Sequence, residues 1–158
     1  MKAGQKPKNT WFDWLLTVLG LGALAAVSLY VALCWEQLPA ELPTHFNAAG
    51  EMDAFGGKAS LLGLLAIAWA LYGIISLIEA IPAVWNTGTK TTPENSRAVY
   101  RTVKTMLSVL KLTLALFFAY VILCAALCRP LTPFAMPVYL LAIFGTLLWC
   151  GIRIFKKR

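Results

Sequence analysis

Four long apolar stretches, each interrupted by little or no charge, dominate the pattern along this chain. They run from about Phe12 to Trp35, Leu61 to Trp85, Thr105 to Leu127 and Phe134 to Phe155. Crossing the hydrocarbon core of a bilayer takes about 20 mainly apolar residues, and each stretch is that long. Inside lipid every backbone N–H and C=O has to be satisfied within its own segment, so these stretches predict helices rather than isolated strands. The connections between them are too short for a separate soluble domain. The expectation is an all-α membrane protein: one four-helix unit over residues 1–158 with an ordered hairpin between its first two helices.

The first helix opens on a capping-box pattern, with Thr10 as N-cap and Asp13 three residues on. Its apolar run is far longer than a signal-peptide core, which predicts an uncleaved span. Trp11 and Trp14 belong at the membrane interface. Thr92-Pro93-Glu94-Asn95 predicts a second helix start, with Thr92 as N-cap and Pro93 in the first turn, running unbroken into the third span. Gly22 with Ala26, and Ala66 with Ala70, are small-residue pairs that would let helices approach closely.

Composition agrees: 59% of residues are hydrophobic and 13% charged, against roughly 25% charged in an ordinary soluble domain. The net charge of +7 is unevenly placed. Lys2, Lys6, Lys8, Lys90, Arg97, Arg101, Lys104, Lys111, Arg153, Lys156, Lys157 and Arg158 fall on one side of the predicted spans, and only Lys58 and Arg129 on the other. The positive-inside rule then puts both termini and the middle connection in the cytoplasm of a bacterial inner-membrane protein. The basic residues are spread over three stretches, which argues against nucleic acid as a partner.

Candidate chemistry concentrates in the outward connection, Leu38 to Lys58. It holds the chain's one histidine and, with Glu36 just before it, four of the seven acids. Pro39 and Pro43 stop the first helix, Asn47-Ala-Ala-Gly50 is a turn sequence, and Gly56-Gly57 releases the chain before Ser60 caps the second helix. His45, Asn47, Glu51, Asp53 and Lys58 are therefore the candidate ligand-binding residues, for a peptide or envelope ligand outside the cell. His45 with Glu51 or Asp53 is the alternative, able to hold a divalent cation or share a proton in a membrane enzyme or transporter. No nucleophile stands beside a base, so no catalytic residue is assigned and no cofactor is required. Within the spans, Glu79 and Lys111 lie at similar depth and are expected to pair. Arg97, Arg101 and Lys104 form a lipid-facing basic stripe, suited to anionic lipid or a cytosolic partner. Cys34, Cys124, Cys128 and Cys150 lack metal-ligand spacing and read as packing residues, with a bridge from Cys34 to Cys124 or Cys128 left open.

The hairpin residues Leu38-Pro39, Pro43-Thr44-His45-Phe46-Asn47, Gly50-Glu51, Asp53 and Gly57-Lys58 resemble domain-of-unknown-function family 1648. Thr92-Pro93-Glu94-Asn95 with Tyr100 is similar to a second block of that family. The same domain opens the immunity protein against the sporulation-delaying toxin, so the resemblance implies an outer-face site able to sense or neutralise a toxin.

Overall fold

The computed structural model describes residues 7–157; Lys2, Lys6 and Arg158, invoked in the charge asymmetry, lie outside them. Helix α1 spans Trp11–Leu33, a β-hairpin follows with strands β1 (Glu41–Phe46) and β2 (Met52–Gly57), and α2 (Ser60–Ala80), α3 (Ser96–Ala126) and α4 (Ala135–Phe155) complete the order. All four helices are long and apolar enough to cross a membrane. The predicted fold class is what the chain adopts. Helix α2 stops five residues short of the predicted span because Pro82 cannot continue it, and a 3-10 turn at Pro82–Val84 takes its place.

Helix α3 is the axis of the bundle. It packs against α1, α2 and α4, whereas α1 and α2 barely touch and α4 buries only Cys150 fully. At 31 residues and 1.5 Å per residue, α3 is about 45 Å long, against a hydrocarbon core of about 30 Å. The surplus length falls on its first turns, where Arg97, Arg101 and Lys104 make the helix polar. The main core, with Leu24, Val27, Val31, Leu61, Ala68, Tyr72, Ala115 and Ile122, lies where α1 and α2 meet α3. The Gly22/Ala26 and Ala66/Ala70 pairs differ from expectation: all four are exposed, so no helix approaches them within the chain. Gly20 fills that role instead. A Cβ there would meet the Tyr72 ring at 3.0 Å, and the bare backbone lets the Tyr72 hydroxyl donate to the Thr17 carbonyl at 3.1 Å.

The capping box of α1 is complete, with Asp13 N–H donating to Thr10 Oγ1 and Thr10 N–H to the Asp13 carboxylate. Ser60 does not cap α2; Ala59 stands at that position without a side-chain bond. The Leu61 and Leu62 N–H groups are satisfied by the carbonyls of Lys58 and Ala59, so the tight turn removes the need for a hydroxyl. At the start of α3, Asn95 N–H donates to Thr92 Oγ1 at 3.3 Å and Thr92 N–H to Asn95 Oδ1 at 2.8 Å. This reciprocal box precedes regular helix, which begins at Ser96.

Connectivity puts the hairpin and the α3–α4 turn at one end of the bundle, and residues 7–10 and 156–157 with the α2–α3 connection at the other.

Candidate functional site at the hairpin end

Strands β1 and β2 pair antiparallel with register irregularities on either side of His45, which re-aim its side chain as bulges do. The His45 ring and Asp53 carboxylate then face each other across the strands, Nδ1 to Oδ1 at 2.5 Å. Both are well exposed, their side chains at 66% and 42%. Asn47 is occupied otherwise. Its Oδ1 accepts from Ala49 N–H at 2.9 Å and Glu51 N–H at 3.0 Å, and its Nδ2 donates to Glu51 Oε2 at 2.8 Å. The four candidates thus form two separate pairs, His45–Asp53 and Asn47–Glu51, and do not converge on one point. Among the described residues no three His, Cys, Asp or Glu side chains are placed to share a metal ion.

Lys58 lies away from His45. Its ammonium donates to the Trp35 carbonyl at 3.1 Å and sits 5.0 Å from the centre of that indole ring. It closes the base of the hairpin against the end of α1. The tip is fastened as well: Leu131 N–H donates to the Gly50 carbonyl at 2.8 Å. Gly50 adopts φ +86°, and a Cβ there would come 2.6 Å from the Leu131 carbonyl oxygen, so only glycine fits. Tyr120 steadies the far side of this contact by accepting from Thr132 N–H at 2.9 Å. Sequence reasoning found Gly50 as a turn residue; nothing in the pattern pointed to Leu131 as its partner.

Fastened at both ends, the hairpin roofs a cleft of about 470 Å³ over the tops of α2, α3 and α4. Its walls are apolar, chiefly Leu64, Ile67, Phe117, Val121 and Met136, and Thr44 and His45 stand in β1 at its edge. A concave apolar pocket with few polar groups is the usual form of a ligand site. Glu36, Glu41, Glu51 and Asp53 are exposed at this end of the molecule, with Arg129 as its exposed cation and Lys58 committed to Trp35.

The other candidate residues cluster toward the opposite end. Glu79 Oε2 accepts from Lys111 Nζ at 2.6 Å and its Oε1 from the Ser108 hydroxyl at 3.2 Å. Both charged side chains are nearly inaccessible, at 10% and 4%. The basic stripe of α3 departs from the sequence reading. Arg97 is exposed, but Arg101 and Lys104 turn onto the chain's own start rather than toward lipid. Arg101 holds Asp13 with both guanidinium nitrogens, at 2.6 and 2.8 Å. Lys104 is fully buried and donates to Asn9 Oδ1 and the Pro7 carbonyl. A cation covered by neighbouring helices needs an anion or several acceptors, and residues 7–13 supply them. The signal missed was Asp13, an acid at the start of a span, seen only as a cap. The four cysteines are free thiols.

These features define a multi-pass membrane protein with an ordered extramembrane hairpin between its first two spans. Residues 22–70 match the profile of a family described as "Domain of unknown function (DUF1648)", which bears out the resemblance drawn from the hairpin. The second block, Thr92–Asn95 with Tyr100, falls outside that match. The chain is also similar, at 45% identity over 63 residues, to an uncharacterized protein of the archaeon Archaeoglobus fulgidus. The similarity takes in 40% of this chain and 34% of the relative, so it spans about a third of that protein's length. No solved structure matches the chain.

Proposed function

We propose that the chain is a non-enzymatic binder, a sensor or toxin-immunity-like protein that receives an apolar or amphipathic peptide in the cleft beneath its hairpin. The observation that carries this reading is the cleft itself: preformed, roofed by the His45 strand, and about 470 Å³ in volume. The exposed carboxylates at this end, four against the one exposed cation Arg129 among the described residues, favour a ligand with a cationic part by charge complementarity. The His45 ring, steadied by Asp53, is placed to donate or accept one hydrogen bond at the entrance. With both termini cytoplasmic, as the distribution of basic residues favours, the cleft opens outside the cell at the level of the outer leaflet, and residues 1–158 act as one unit.

A dansyl-labelled cationic amphipathic peptide and the protein in phosphatidylcholine nanodiscs test this. Binding is expected to saturate and to weaken about tenfold when Ile67→Trp fills the cleft, with a smaller loss for His45→Ala. Equal binding by Ile67→Trp and the unaltered protein would refute the cleft as the site.

One observation supports a second reading. A carboxylate on one imidazole nitrogen is the arrangement that orients a metal-bound or proton-handling histidine, and the His45–Asp53 contact has that form. Zinc retained at one equivalent and lost in His45→Ala would favour this metal or proton role over peptide binding.

A further inference from the structure

Three segments that are far apart in the sequence come together at the start of α3. Asn95 is the junction: its Nδ2 donates to the Lys90 carbonyl in the α2–α3 connection and to the Lys157 carbonyl beyond α4, each at 3.2 Å. Arg101 joins the chain's start to the same place, donating to the Lys8 carbonyl and to Thr10 Oγ1, each at 3.2 Å. Of the dispersed basic residues, the fold brings Lys8, Arg97 and Arg101 to one place. Between residues 7–10 and the first turns of α3 the fold leaves a recess of about 830 Å³. Lys8 and Arg97 are exposed along it, and Arg101 forms part of its wall.

Two observations set the depth of this recess. Trp11 and Trp14, directly after it in the chain, are 76% and 58% exposed, the position of an interfacial aromatic belt. The first turns of α3, which make its other wall, are the polar part of a helix longer than the apolar layer. In a bilayer whose interface takes up Trp11 and Trp14, the recess falls at head-group level. Glu94 is the acid among its lining residues and is hydrogen-bonded by Thr92, while the Asp13 carboxylate is occupied by Arg101.

We propose that this recess binds the phosphate of an anionic phospholipid head group, with Lys8 and Arg97 as its direct ligands and Arg101, locked by Asp13, as a fixed cationic wall. The juxtaposition of basic side chains with an aromatic belt selects a lipid over a soluble polyanion, because acyl chains can lie along the exposed apolar surface of α1 while the phosphate enters the recess. Lys104, pinning Pro7 and Asn9, positions the chain's start as the opposite wall and does not itself reach the ligand.

The test is the dissociation constant of phosphatidylglycerol on the full, detergent-solubilised chain, measured by native mass spectrometry beside phosphatidylcholine. Phosphatidylglycerol should bind more tightly than phosphatidylcholine. Lys8→Ala and Arg97→Ala should each weaken it about fivefold, the scale of one basic residue at a membrane surface. Arg129→Ala, an exposed cation at the other end, should leave it unchanged. Unchanged affinity in the Lys8→Ala, Arg97→Ala double variant would overturn the site. Glycerol phosphate or a short DNA duplex binding as tightly as the lipid, with the same sensitivity to both variants, would overturn the membrane lipid as its occupant.

Discussion

Two short side-chain contacts of nearly equal length mark the two ends of this molecule, and they do opposite things. Lys111 meets Glu79 at 2.6 Å and His45 meets Asp53 at 2.5 Å. The first pair is enclosed by α2 and α3, with Tyr72 beside it at 5.3 Å from Lys111 Nζ; the second stands in water above the cleft. Geometry alone does not distinguish them. Surroundings do, because a contact between exposed groups is screened and contributes little, whereas breaking an enclosed pair strands a charge where water cannot reach it. The buried polar groups of α3 therefore hold helices in register, and the exposed pair leaves its imidazole free to meet a ligand.

The largest effect is expected from stranding Glu79. Lys111→Met should destabilise the protein in detergent by about 3–5 kcal/mol, measured by thermal unfolding, and Glu79→Gln by a similar amount. The double variant should recover part of that loss, since it removes both charges together.

Next in size is Gly50→Ala, at roughly 2–3 kcal/mol if the loss is felt by the whole fold. Its Cβ would collide with the Leu131 carbonyl and force the backbone from φ +86°. Hydrogen exchange should show the cost mainly in the hairpin, which would loosen from the α3–α4 turn, with α1–α3 packing kept. Exchange spreading evenly through the helices would show that hairpin and bundle are not separable regions.

His45→Gln should cost less than about 0.5 kcal/mol of stability, as an exposed contact does, while reducing peptide binding at the cleft. A stability loss as large as that of Lys111→Met would erase the contrast between the two ends.

The smallest effect is at Glu94, at the start of α3. The Thr92 hydroxyl, and then the residue's own N–H, hold this exposed carboxyl below its ordinary value of 4.5. A lowered folded-state pKa gives a contribution present above that ordinary value and lost as pH falls through the lower one. Protection of the first α3 amides should accordingly decline slightly below about pH 4.5, and Glu94→Gln should abolish that acid sensitivity.

The spans were legible because apolar length alone decides them, and Pro82 shows the limit: a proline inside an apolar run ended α2 early. The hairpin was legible from Pro43, Asn47 and Gly50, whose turn chemistry is local. Which candidates would converge was not legible. Asn47 and Glu51 spend themselves on the loop, and Lys58 on Trp35, through contacts that depend on how the hairpin docks. The cleft walls escaped for a related reason, since Phe117 and Met136 look like any other apolar residues of a span. Arg101 and Lys104 read as surface cations because their spacing forms one stripe. Only the packing of residues 7–13 against α3 turns that stripe inward.

Paired double-mutant cycles under identical detergent conditions test the contrast most directly, one on Glu79 and Lys111 and one on His45 and Asp53. The account predicts a coupling free energy above about 1 kcal/mol for the first pair and below about 0.5 kcal/mol for the second. Equal couplings, or a larger one at the hairpin, would contradict it.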